Sequence, residues 1–160
     1  MNTEGLSLEI MAIDSVDRAI IEALCEDARQ SHRQLAQKIG VAQGTITNRL
    51  RKLESDKVIQ GYTPKLNADS VGWGMTVMAG LCIEKGKIMD VQKHISSDSR
   101  VFAVYDVTGD WDSMVLARVQ NREDLDDLTK TVFTLKGISR SYTHVVLNTV
   151  KESGVILPEE

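Results

Sequence analysis

Apolar residues recur at helical spacing through the first third of the chain and at strand spacing through much of the rest. Val16, Ile20, Ile21 and Leu24, with Cys25 beside them, make the inward face of a first helix. Asp14 stands where its N-cap belongs, and Asp17 falls in the first turn, near the positive end of the helix dipole. Leu35, Ala36 and Ile39 mark a second helix, opened by Ser31 and Gln34 at capping-box spacing. Gly40 follows where a left-handed stop is needed, a conformation glycine adopts without steric cost. A third helix begins near Gln43 and turns Ile46, Leu50 and Leu53 to one side, and the small Ala36 lets its neighbour approach closely. Residues 12–60 therefore predict a three-helix domain of winged type. Gly61, Pro64 and Asn67 punctuate residues 58–67, which read as extended and turn-rich, so residues 61–74 form a linker with one hinge strand.

Beyond the linker the period changes. Residues 75–85, 100–108, 113–120 and 138–150 predict strands, and residues 109–112 connect the second to the third. Helices are expected over residues 87–97, with Ile88, Val91 and Ile95 inward, and over residues 122–135, with Leu125, Leu128, Val132 and Phe133 inward and Gly137 as the stop. The order over residues 75–151 is βαββαβ, the ferredoxin-like split motif. The fold class is α+β: a winged-type helix-turn-helix domain followed by a ferredoxin-like βαββαβ domain. Such a sheet carries both helices on one face, and a second copy of the chain is the simplest cover for the other.

Charge adds a function to the first domain. Residues 29–53 hold six Lys/Arg and no Asp or Glu, in a chain whose formal net charge is -4. A basic helix-turn-helix places its second helix in the DNA major groove. Gln43, Thr45, Thr47 and Asn48 are the candidates for reading base edges: Asn and Gln pair with adenine, and Thr offers its methyl to thymine. Arg49, Arg51 and Lys52 suit phosphates, which supply affinity and salt dependence rather than specificity, and Arg33 and Lys38 reach the backbone from the helix before. A solvated surface helix is the plainer alternative. The coincidence of basic charge with the two-helix pattern favours double-stranded DNA as partner.

Other classes receive little support. No apolar run has membrane-spanning length, and the acidic opening residues lack a positively charged leader, so the chain is expected in the cytoplasm, at the nucleoid. Cys25 and Cys82 are expected as buried free thiols. His32, His94 and His144 have no zinc-motif spacing, and neither a nucleophile elbow nor a phosphate-binding glycine loop occurs, so no metal, cofactor or catalytic residue is expected.

Three segments carry a resemblance: IDSVDRAIIEAL; ARQSHRQLAQKIGVAQGTITNRLRKLESDKVIQGY; and VYDVTGDWDSMVL, followed by GISRSYTHVVLNTVK. Together they resemble the Lrp/AsnC family of leucine-responsive, or feast/famine, regulators over about residues 13–151. The resemblance implies a transcriptional regulator that dimerises through its C-terminal sheet and assembles into octamers with DNA wrapped outside. It also implies a small amino-acid effector between dimers, around Gly109, Asp110, Trp111 and Asp112, with Ser141 and Thr143 aligned to family contact positions. The chemistry suits an amino acid: backbone N–H groups of a glycine-containing turn hold a carboxylate, and Asp110 or Asp112 pairs with the ammonium.

The chain departs from the family pattern at Ala42, where a capping serine is common, at Gly44, and at Ser141, commonly threonine. Three alternatives share the architecture or part of it. One is an architectural DNA organiser with little sequence preference. Another is a stand-alone amino-acid sensor. The third is a sirohaem decarboxylase-like enzyme, whose His-x-Tyr-Asn type segment is replaced here by Asp-Trp-Asp.

Overall fold

The computed structural model describes residues 13–159. The opening dozen residues, read as either a disordered arm or a dimerisation element, lie outside them. The chain divides into two compact units: one runs to Pro64 and includes the residues from Ser153 onward, and the other spans Lys65–Glu152.

The first unit holds α1 (Ser15–Glu26), α2 (His32–Ile39) and α3 (Gln43–Ser55). Asp14 caps α1 by accepting from the Val16 and Asp17 N–H groups, and Asp17 reaches back to complete a capping box. Ser31 and Gln34 do the same for α2, which ends on Gly40 at φ 80°. Ala42 leads into α3 with no side-chain cap, as its missing hydroxyl requires. Ile20, Ala23, Leu35, Ala36, Ile46, Leu50 and Leu53 form the core, and Val58 and Ile59 pack against it. Spacing fixed all three helices because each must bury one stripe, and the stripes meet only when the helices cross.

Two details differ from expectation. No strand lies between α3 and the strand that begins at Met75, so no β-wing follows the three helices there and the hinge strand expected within residues 61–74 is absent. Residues 60–67 carry no regular secondary structure, and a 3-10 turn at Asp69–Val71 follows them before the sheet. The Tyr62 hydroxyl fixes part of this segment by donating to Glu54 at 2.9 Å, and burial together with that carboxylate pushes the phenol up to about 12. Cys25 is exposed rather than buried, while Cys82 is half-buried, and both are free thiols.

The C-terminal segment was also unforeseen. Val155, Ile156 and Leu157 line a cleft with Ile21, Leu24 and Ile59, and the Arg18 guanidinium donates to the Pro158 carbonyl.

The second unit contains β1 (Met75–Ile83), α4 (Ile88–Ile95), β2 (Val101–Asp106), β3 (Ser113–Val119), α5 (Arg122–Thr131) and β4 (Ile138–Val145). The sheet order is β2-β3-β1-β4, with every neighbouring pair antiparallel. Val77, Ala79 and Leu81 of β1 and Val115, Ala117 and Val119 of β3 point to one face and bury against Val91, Ile95, Leu128 and Phe133. The intervening positions of β1 and β3 form the opposite face. There and on the flanking strands Met78, Phe102, Tyr105 and Tyr142 stay exposed. Helix α5 stops at Thr131, earlier than its apolar spacing suggests, although Val132 and Phe133 remain buried in the turn beyond it.

Candidate DNA-reading and effector-binding surfaces

Helix α3 has two unlike sides. Ile46, Leu50 and Leu53 are buried, while Gln43, Gly44, Asn48, Arg51 and Lys52 are exposed, with Thr45 and Thr47 half-buried at the flanks. The stripe follows from the helical period: once three apolar residues are fixed inward, these polar ones must point out. Arg33 is exposed on α2. Lys38 pairs with Glu26 at the surface, where such a contact contributes little and leaves the ammonium free to swing to a phosphate.

Arg49 stands apart from the phosphate set to which its charge assigned it. Its Nη1 donates to Asp17 at 3.2 Å and to Asp14, tying α3 to the start of α1. The Asp14 carboxyl is held below its usual range, first by the Asp17 N–H and then by Arg49, and the same contact raises the guanidinium further. The sequence hides this role because the partners lie more than thirty residues away.

His32, absent from the sequence-based set, also belongs to this surface. Its Nδ1 lies 2.9 Å from Thr47 Oγ1, and that oxygen is 3.1 Å from the Gln43 carbonyl one turn back.

The connector between β2 and β3 is tightly built. Gly109 takes φ 114°, in the left-handed region that favours glycine. The Asp112 N–H donates to the Leu81 carbonyl at 2.9 Å, and its carboxylate accepts from the Ile83 N–H at 2.7 Å, where the β1–β4 register shifts. Asp112 is thus spent largely on the strand end, while the Asp110 side chain is exposed.

Trp111 packs over Gly80, 5.5 Å from the Tyr142 ring, with the Arg140 guanidinium 5.0 Å from its own. A Cβ at Gly80 would sit 2.6 Å from the indole, so glycine is what admits the ring. Gly80→Val should expel it and cost about 1–3 kcal/mol through overpacking. Trp73 and Trp111 are the only tryptophans, so emission measured in a Trp73→Phe background reports on this ring. A red shift with a lowered melting temperature is expected, and unchanged emission would contradict the packing.

The six effector candidates do not converge in one chain. Ser141 and Thr143 pair across the ladder with Leu81 and Ala79, which places them on the helix-covered face. Trp111 and Tyr142 occupy the opposite face, beside Gly80. Strand alternation separates the two groups, and only the sheet register reveals it.

An AsnC-type helix-turn-helix domain model matches residues 13–54, and an Lrp/AsnC ligand-binding domain model matches residues 76–156. The chain belongs to the Lrp/AsnC family. It is 44% identical over 142 residues to an HTH-type transcriptional regulator of Pyrococcus horikoshii, covering 89% of this chain and 96% of that relative. The feast or famine regulatory protein of M. tuberculosis, solved in complex with L-methionine, superposes with a TM-score of 0.85 at 26% identity, over 92% of this chain and all of that one. E. coli AsnC shares the fold with a TM-score of 0.84 at 23% identity, over 89% of this chain and 97% of that one. This Lrp/AsnC chain is therefore a DNA-binding transcriptional regulator by family, with a ligand-binding domain after its helix-turn-helix.

Proposed function

We propose that this protein is a sequence-specific transcriptional regulator that acts as a dimer or larger homo-oligomer and responds to a small amino acid. The observation that carries the reading is the exposed polar stripe of α3, which sets Gln43 and Asn48 beside Arg51 and Lys52. Amide side chains distinguish adenine in the major groove, and the cations hold the flanking phosphates. A protein meant only to coat DNA has no need of exposed amides at the N-terminal end of its recognition helix, where base edges are met. Its place of action is the cytoplasm, on the nucleoid.

The dimer is supported by the sheet face opposite α4 and α5, where Met78, Phe102, Tyr105 and Tyr142 stay 38–54% exposed. Large exposed apolar side chains gathered on one face mark an interaction surface. An isologous contact buries the same patch on both copies. Effector binding is supported by the ligand-binding domain match and by the L-methionine complex of the M. tuberculosis relative. Because Ser141 and Thr143 face away from Trp111, the proposed site takes one group from each of two chains. Assembly and effector occupancy are then linked, and the effector shifts assembly by as much as its affinities for the two states differ.

Calorimetric titration with a pool of amino acids tests the effector site. Asp110→Ala should lose the binding heat while its melting temperature stays the same, because its exposed carboxylate faces the ammonium. Asp112→Ala should lose stability as well, by about 1–3 kcal/mol, since the Ile83 N–H is left without its acceptor. Unchanged binding in Asp110→Ala would remove this connector from the effector site.

A further inference from the structure

The contact between His32 and Thr47 specifies what Thr47 can recognise. A hydroxyl has one proton to donate and two lone pairs to accept with. Thr47 Oγ1 lies 3.1 Å from the Gln43 carbonyl and 2.9 Å from His32 Nδ1. If the proton goes to Gln43, as in the usual back-bond of a helical threonine, His32 donates its Nδ1–H to the oxygen. With the other imidazole tautomer, the proton goes to Nδ1. In both cases the protein consumes the only donor Thr47 has.

We propose that His32 is a specificity-positioning residue: together with the Gln43 carbonyl it holds the Thr47 hydroxyl engaged and so fixes the rotamer that leaves the methyl as the group that reads DNA, so the base met by Thr47 is thymine. This rests on α3 being the reading helix. A hydroxyl whose proton is spent cannot donate to guanine O6 or N7, the acceptors that mark guanine in the major groove, whereas the thymine 5-methyl accepts an apolar contact. His32 is the first residue of α2 and Thr47 lies in the second turn of α3. The contact therefore also fixes the two helices of the reader against each other, on the flank of the exposed stripe.

The test is selection of binding sites from random duplex DNA by the full-length protein and its variants, each checked by circular dichroism for retained helix. Thr47→Val keeps the methyl and drops the hydroxyl, and should select the same thymine as the parent. Thr47→Ser keeps the hydroxyl and drops the methyl, and should lose the preference by about fivefold or more, the low end of the cost of one mismatched pair. His32→Ala leaves the back-bond to the Gln43 carbonyl in place but removes the contact that holds the Thr47 rotamer, and should weaken the thymine preference without admitting guanine.

Loss of the preference in Thr47→Val with its retention in Thr47→Ser would overturn the proposal, because the hydroxyl would then be the reader. An identical site in all three variants would overturn it as well. Arg51→Ala, run alongside, separates this from failure of the underlying reading. If that variant binds DNA with unchanged affinity and salt dependence, α3 is not the reading helix at all.

Discussion

Replacing Arg51 and Lys52 together by alanine lowers affinity for every DNA sequence, by about a thousandfold at physiological salt, and flattens the salt dependence. Both side chains are exposed on α3. Each phosphate neutralised contributes about 0.9 to the slope of log K against log salt, so a dimer losing two cations per chain should lose roughly 3.6. Arg49→Ala is the informative control, since charge alone would group it with the other two. Its guanidinium is committed to Asp14 and Asp17, so the slope should hold while the helical domain melts earlier. Asn48→Ala should leave the slope intact and relax base preference. Equal slopes for Arg49→Ala and Arg51→Ala would contradict the division between strut and phosphate contact.

The second large effect lies in the C-terminal domain. Arg100→Ala should destabilise it by about 3 kcal/mol, a shift of roughly 10–20 °C for a domain of this size. The guanidinium is 15% exposed and gathers three carboxylates, bonding Asp98 at 2.7 Å and Asp124 and Asp127 at 2.8 Å. These contacts join the start of β2 to α5. Removing the cation leaves three carboxylates to repel one another, two of them mostly buried.

The effect depends on pH. Asp98 is held below its ordinary 3.8, chiefly by the hydrogen bond from Arg100, against the opposing cost of burial. A carboxyl whose value is depressed by folding contributes stability that is complete above the unfolded value and is lost as pH falls through the folded one. The gap between wild type and Arg100→Ala should therefore be widest at neutral pH and narrow below about pH 4. Thermal melts across pH 3–7 measure it, and a gap that stayed constant would place the stabilisation elsewhere.

The parts of the fold legible in the sequence were those governed by local period and capping. Asp14, Ser31 and Gly40 marked helix ends correctly because capping depends on residues within one turn. Four strands and two helices in βαββαβ order followed from alternation and helical spacing. The missing wing had no local signal: Gly61 and Pro64 mark extended chain whether or not a partner strand exists.

Site residues divided in the same way. The α3 stripe was visible because one helix carries it. The Arg49 strut and the His32–Thr47 contact were hidden because they join residues 15 to 35 positions apart. The separation of Ser141 and Thr143 from Trp111 depends on strand register, which pairs β4 with β1 across nearly the whole second unit. The coupling of Asp112 to the Ile83 N–H is likewise a long-range consequence of the register shift at that point.

The most direct measurement is a gel-shift titration on the DNA upstream of the protein's own gene, against random competitor, with and without a pool of amino acids. The account predicts selective binding whose affinity or stoichiometry changes with the pool. Binding that random competitor abolishes as readily as the specific duplex would contradict it.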